Sequence, residues 1–139
     1  MNTNQRFAIS IHALTLLAAS ESPLTSESIA SSVDTNPVVI RRMMASLRQH
    51  GLVKSKPGAH GGWRLLREPQ QIGLSEVYQC LSEDDVLSIH SHPNKDCPIG
   101  GKIKGVLQKV FGEAQVGLEN ALGTHTIADI LEDVRKNKL

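Results

Sequence analysis

The sequence predicts a mainly α protein with one small β wing, and three stretches carry that expectation. Pro37 to His50 sets Ile40, Met43, Met44 and Leu47 at steps of three and four, the period of a helix that buries one side. Leu52-Val53-Lys54-Ser55-Lys56 and Trp63-Arg64-Leu65-Leu66 bracket the breaker cluster Pro57-Gly58-Ala59-His60-Gly61-Gly62, the pattern of a hairpin. Gly100 to Leu122 is apolar over too wide an arc for a helix that packs only one face in a small domain. Two short helices, a tight turn and a basic hairpin make a winged helix-turn-helix DNA-binding domain, followed here by a long dimerisation helix. The expected organisation is a winged domain over 1–82, a loop or sensor segment over 83–99, and over 100–139 the long helix with a C-terminal helix packing back on the domain.

Taken in order, Asn2 or Thr3 caps a first helix of about residues 3 to 20, with Gln5 three after Asn2 as in a capping box, and Pro23 follows its end. Phe7, Ile11, Leu14 and Ala18 recur at helical spacing within it. Thr25 caps a short helix over 26–32 whose Ile29, Ala30 and Val33 face inward, and Asp34-Thr35-Asn36 makes the turn. Asn36 as N-cap and Pro37 as first helical residue open the next helix. After the wing, Pro69 and Gly73 punctuate the chain, and Ser75 caps a short helix bearing Val77, Tyr78 and Leu81. Residues 82 to 98, acidic and then polar, read as an exposed loop or a short ligand-sensing segment. In the long helix, Ile103, Leu107, Val110, Ala114, Gly117 and Ala121 step by four and three, a heptad seam expected to form the dimer interface, while Ile99, Val106, Phe111, Leu118 and Leu122 form a second apolar row. Gly123 stops that helix, and Thr126 with Asp129 makes a capping box for a last helix with Ile127, Ile130, Leu131 and Val134 inward. Arg135, Lys136 and Lys138 compensate the dipole at its end.

Composition narrows the function classes. With 139 residues and 40% apolar content the chain fits one domain with an extension and leaves no room for a second, catalytic one. The net charge of +1 conceals an asymmetry: residues 1 to 68 hold eight Lys/Arg against four Asp/Glu, and 69 to 139 hold seven against ten. The basic half is the half with the helix and wing, which points to a polyanion. Arg6 followed by Phe7 to Ala19 superficially resembles a signal peptide, but Ser10, His12 and Thr15 interrupt it, and no apolar run approaches the roughly 18 residues of a membrane span. Two cysteines are too few for a disulfide framework, so a cytoplasmic protein with no membrane partner is expected.

The candidate DNA contacts follow from side-chain type. Opposite its apolar side the second helix of the pair carries Val38, Arg41, Arg42, Ala45 and Gln49, with no carboxylate. The N-terminal end at Asn36 and Pro37 is expected to meet the major groove of double-stranded DNA, with Arg41 and Arg42 on guanine edges or phosphates and Val38 and Ala45 near thymine methyls. Gln5 and Arg6, at the positive start of the first helix, grip phosphate, while Lys54, Lys56, Arg64 and His60 anchor the wing. Trp63 is expected to pack the wing on the core rather than touch bases.

Three pieces carry a resemblance that spans nearly the whole chain: Arg6-Phe7-Ala8 leading into the first helix, Leu47-Arg48-Gln49-His50-Gly51-Leu52-Val53, and Gly61-Gly62-Trp63-Arg64-Leu65 in the wing. The sequence resembles the Rrf2 family of bacterial winged-helix transcription regulators. The resemblance implies a homodimer that crosses its long helices on a roughly two-fold symmetric DNA site, usually as a repressor. Many members hold an iron-sulfur cluster on three cysteines just before the long helix, whereas this chain has only Cys97 there, so no cofactor is expected. Members often carry acidic or amide residues where Arg41 and Arg42 stand, so their base preferences do not transfer.

His90, His92 and Cys97 have donor types that suit a metal ion, yet their spacing matches no strong motif and a polar loop explains them as well. Cys97 alone is a candidate redox sensor, since a helix N-terminus over 99–101 would favour its thiolate. The effector stays unread. The alternatives are a winged-helix module that binds protein instead of DNA and, more weakly, a Cys97-dependent enzyme, for which no nucleophile motif or phosphate loop is present.

Overall fold

A computed structural model describes residues 3–81 and 87–137. Among the described residues, six helices and one two-stranded antiparallel sheet follow in the order α1 (Thr3–Ala19), α2 (Ser26–Val33), α3 (Pro37–Gln49), β1 (Val53–Lys56), β2 (Gly62–Leu65), α4 (Leu74–Leu81), α5 (Ile103–Gly123) and α6 (Ile127–Lys136), with a 3-10 turn at Pro69–Gln71 before α4. The protein is therefore mainly α with a small β wing, as the periodicity predicts. The Asn2 capping box, the acidic residues 83–85 and Lys138 lie outside the described residues.

α1 is the hub. Its Ser10, Ala13, Leu14 and Leu17 are buried, and it packs on α2, α3, α4, α6 and β2. Ser10 Oγ donates to Met43 Sδ at 3.5 Å, so this buried hydroxyl is met by a soft acceptor on α3, and Thr15 Oγ1 donates to the Ile11 carbonyl at 2.7 Å. Phe7 meets Tyr78 of α4 edge to face at 5.5 Å, closing the other flank. Leu14, Ile29, Ile40, Met44, Leu47, Leu52, Ile72, Val77 and Ile127 complete one core with no solvent exposure.

Local chemistry sets most boundaries. Thr25 Oγ1 accepts from the Ser28 amide at 3.1 Å and opens α2, and Asp34 closes it in the left-handed region at φ 66°. At α6 the expected capping box is present in both directions: Asp129 N donates to Thr126 Oγ1 at 3.2 Å and Thr126 N to Asp129 Oδ2 at 2.9 Å.

Four expectations need correction. Ser75 does not cap α4, which begins at Leu74: the Leu74 amide donates to the His125 carbonyl at 3.0 Å, and the Gly73–Thr126 bridge fixes the helix start from outside the segment. The long helix begins at Ile103 and not at Gly100, because residues 94–101 fold into tight turns in which Gly101 N donates to Cys97 O at 2.9 Å and a Cβ on Gly100 would lie 2.3 Å from the Asn94 carbonyl oxygen. Val134 faces solvent at 60% exposure, while Ile127 is buried and Ile130 and Leu131 are half-buried, so α6 turns a narrower face inward than its pattern implies. The strands differ from expectation by one residue: β1 starts at Val53 rather than Leu52 and ends at Lys56 as expected, and β2 runs Gly62–Leu65, one residue earlier.

Candidate nucleic-acid interface

Asn36 and Pro37 start α3 as their chemistry requires. Asn36 Oδ1 accepts from the Val38 amide at 2.8 Å, and Pro37 occupies the first turn, where its missing N–H leaves no gap. Burial of Ile40, Met43, Met44 and Leu47 fixes the rotation of the helix, so Val38, Arg41, Arg42 and Gln49 point to solvent and Ala45 is half-buried. Arg41 Nη2 donates to Glu27 Oε1 in the first turn of α2. Arg42 instead joins Arg6 of α1, 36 positions earlier, in lining one depression of about 360 Å³ with Val39 and Met43. Gln5 is exposed one residue before Arg6.

The wing sorts its side chains by strand alternation. Val53 pairs with Leu65, Lys54 with Arg64, Ser55 with Trp63 and Lys56 with Gly62, so Lys54, Lys56 and Arg64 share one face and Val53, Trp63 and Leu65 the other. Lys54 stands directly across from Arg64, a like-charge pair that costs free energy in isolation. Arg64 Nη2 also donates to the Glu21 carbonyl at 3.1 Å. His60 is exposed at the tip beside Gly58, whose φ of 101° a bulkier residue would resist. Gly62 serves a different end: Trp63 N donates to Leu24 O at 2.7 Å, and a Cβ on Gly62 would sit 2.5 Å from that same carbonyl oxygen.

Trp63 belongs to the packing, as its neighbours show. Its indole N–H donates to Ser26 Oγ at 2.9 Å, and the Arg48 guanidinium lies 5.9 Å from the ring centroid while Arg48 Nη1 reaches Ser55 Oγ at 3.4 Å. Arg48 thus joins the end of α3 to both strands of the wing. Sequence reading missed Arg48 and Glu27 as parts of this surface, although the spacing of Arg48 seven residues after Arg41 places both on one side of α3.

The remaining candidates separate into two places. On α5, Ile103 and Leu107 are half-buried, whereas Val110, Ala114, Gly117 and Ala121 are exposed, and Val106 joins them at 58% exposure. Cys97 lies partly exposed in the segment before α5, and the backbone N–H groups of Gly100 and then Ile99 hold its thiol below the usual range. Those donors belong to the turn, not to a helix N-terminus. Cys80 is buried in the core cluster, and His90 and His92 are exposed. Among the described residues no three His, Cys, Asp or Glu are placed to hold a metal ion.

Fold and surface together define a winged helix-turn-helix protein whose α3 and wing carry exposed cations, Arg42, Lys54 and Lys56 among them. Residues 3–133 match the Rrf2 family, described as iron-dependent transcriptional regulator, and the chain belongs to that family. It is 37% identical over 129 residues to the HTH-type protein YwnA of Bacillus subtilis (strain 168), covering 92% of this chain and 96% of that one. The solved structure of T. potens IscR matches with a TM-score of 0.72 at 27% identity, over 96% of this chain and 90% of that one. A structure from Lactobacillus plantarum reaches a TM-score of 0.81 at 23% identity, over 95% and 91%, and shares the fold. The family is one of DNA-binding transcriptional regulators, not enzymes. The cysteines do not fit a thiolate-held iron cluster: of the two, one is buried in the core, which leaves a single accessible thiol per chain where a cluster needs several. No helix among the described residues is long and apolar enough to cross a membrane.

Proposed function

We propose that this protein is a cytoplasmic, homodimeric repressor that binds a roughly two-fold symmetric DNA operator. The observation that carries the reading is the convergence of Arg6 and Arg42 on one depression at the first turns of α3, with no carboxylate among the described residues that line it. That arrangement suits a phosphate beside a major groove occupied by α3. In this reading Asn36, Pro37, Val38 and Arg41 face base edges, and Gln5 grips the backbone beside Arg6. Lys54, Lys56, Arg64 and His60 follow the adjacent backbone, where a polyanion offsets the repulsion between Lys54 and Arg64. The α5 stripe containing Val110, Ala114, Gly117 and Ala121 pairs with a second copy, and Cys97 is the group through which an oxidant would act on binding.

Anisotropy titrations of a promoter duplex and a scrambled duplex over a range of salt test this. Arg42→Ala and Lys56→Ala are each expected to weaken both duplexes alike and to flatten the salt slope by about one. Unchanged binding in both variants would remove the assignment.

A further inference from the structure

Arg41 and Arg42 stand side by side on α3, yet their surroundings differ. Arg41 is paired with Glu27, while among the described residues Arg42 has no ion pair or hydrogen bond. Glu27 is the one carboxylate on α2 and α3 together. Its partner lies 14 residues away on another helix, and the two helices are locked by buried Ile29, Ala30, Ile40 and Met44, so the pair is a product of the helix-turn-helix packing and not of local spacing.

An acid at this position works against binding a polyanion, which raises the question of what it contributes. Stability is a poor answer, because both side chains are more than half exposed, and pairs of that kind contribute little. Orientation is a better one. A guanidinium is a planar fork of five donors, and Glu27 engages Nη2 alone, which draws the group toward α2 and leaves its other donors free. The same contact cancels the charge that would otherwise draw Arg41 to any phosphate.

Resting on the DNA-binding reading above, we infer that Glu27 is a specificity-determining positioning residue: it holds Arg41 for a base edge and withholds it from phosphates, leaving Arg42 for the backbone. The two neighbouring arginines thereby divide the work. One reads sequence and the other supplies sequence-independent affinity.

The test uses the full chain as wild type, Glu27→Gln, Arg41→Ala and the double variant. Wild type and Glu27→Gln each select from a randomised duplex pool, and all four are then titrated against the wild-type site and a scrambled duplex across a salt series. Glu27→Gln should select a motif with fewer specified positions, lose about fivefold or more in discrimination, and bind the scrambled duplex more tightly with a salt slope steeper by about one per protomer. In the Arg41→Ala background the same substitution should change neither quantity. A wild type that discriminates, combined with a Glu27→Gln effect that is equal on both duplexes or equal with and without Arg41, would reduce Glu27 to a bulk surface charge and overturn the proposal. A wild type that selects no motif at all would instead remove the DNA-binding reading, and this inference with it.

Discussion

Helices α3 and α5 divide their apolar surface in opposite ways. α3 spans 13 residues and buries four of them to 2% exposure or less, leaving cations outside. α5 spans 21 residues and buries none, although it carries Val106, Val110 and Val116 at 50% exposure or more. Its half-buried side includes Phe111, Leu118 and Leu122, with Gln115 donating to the Tyr78 hydroxyl at 3.1 Å and Gln79 to Glu119 at 3.3 Å. Exposed lysines and arginines cost little in water, whereas exposed apolar surface forgoes about 25 cal/mol per Å². The packing of α3 is settled within its own chain. That of α5 is left half complete, which on the reading proposed here is where a second copy adds its own helix.

The sharpest way to break that contrast is a charge on the open stripe. Val110→Asp, by placing like charges near a two-fold axis, should cost several kcal/mol of association and turn a sedimenting dimer into a single chain with its helical content kept. A wild type that already sediments as one chain at micromolar concentration, or a variant that stays dimeric, would show that this stripe is not the interface. The closed region should behave differently. Leu47→Ala removes a fully buried side chain from α3 and should lower the unfolding free energy by ~2–5 kcal/mol in urea titrations. If Val110→Asp destabilised the fold as Leu47→Ala does while leaving association intact, the two helices would be alike after all.

The same contrast explains how much was legible in the sequence. Asn36-Pro37 and Thr126 with Asp129 announce their helices because each cap is closed within three residues. Arg41, Arg42 and the wing face of Lys54, Lys56 and Arg64 follow from periods of 3.6 and 2. What failed was set at a distance. The start of α4 depends on the carbonyl of His125, 51 residues beyond Leu74, and no feature near Ser75 encodes it. The exposure of Val134 depends on how much of α6 the surface of α1 can cover. The Glu27–Arg41 pair and the approach of Arg48 to Trp63 join separate elements, so periodicity places each residue on a face without naming its partner.

Each region also holds one thiol, and the two report its closure independently. Cys80 lies on α4, whose carbonyl at that residue accepts from Ser46 Oγ of α3 at 3.1 Å; burial, and then the nearby Glu76 carboxylate, push its thiol from about 9 up to about 11. Cys97, before α5, is held low by the amides of Gly100 and Ile99. Iodoacetamide near neutral pH should therefore alkylate Cys97 and spare Cys80, as peptide mass spectrometry would show. The folded state keeps the Cys80 proton between the unfolded and folded values, so stability is fully present below pH 9 and declines as pH rises through 11, by about 3 kcal/mol in all. Cys80→Ala should flatten that decline in urea titrations at pH 8 and pH 10.5, whereas Cys97→Ser should leave it in place. Equal alkylation of both thiols in the folded protein would mean that the α3–α4 contact opens as readily as the segment before α5, and the distinction between a closed and an open half would be lost.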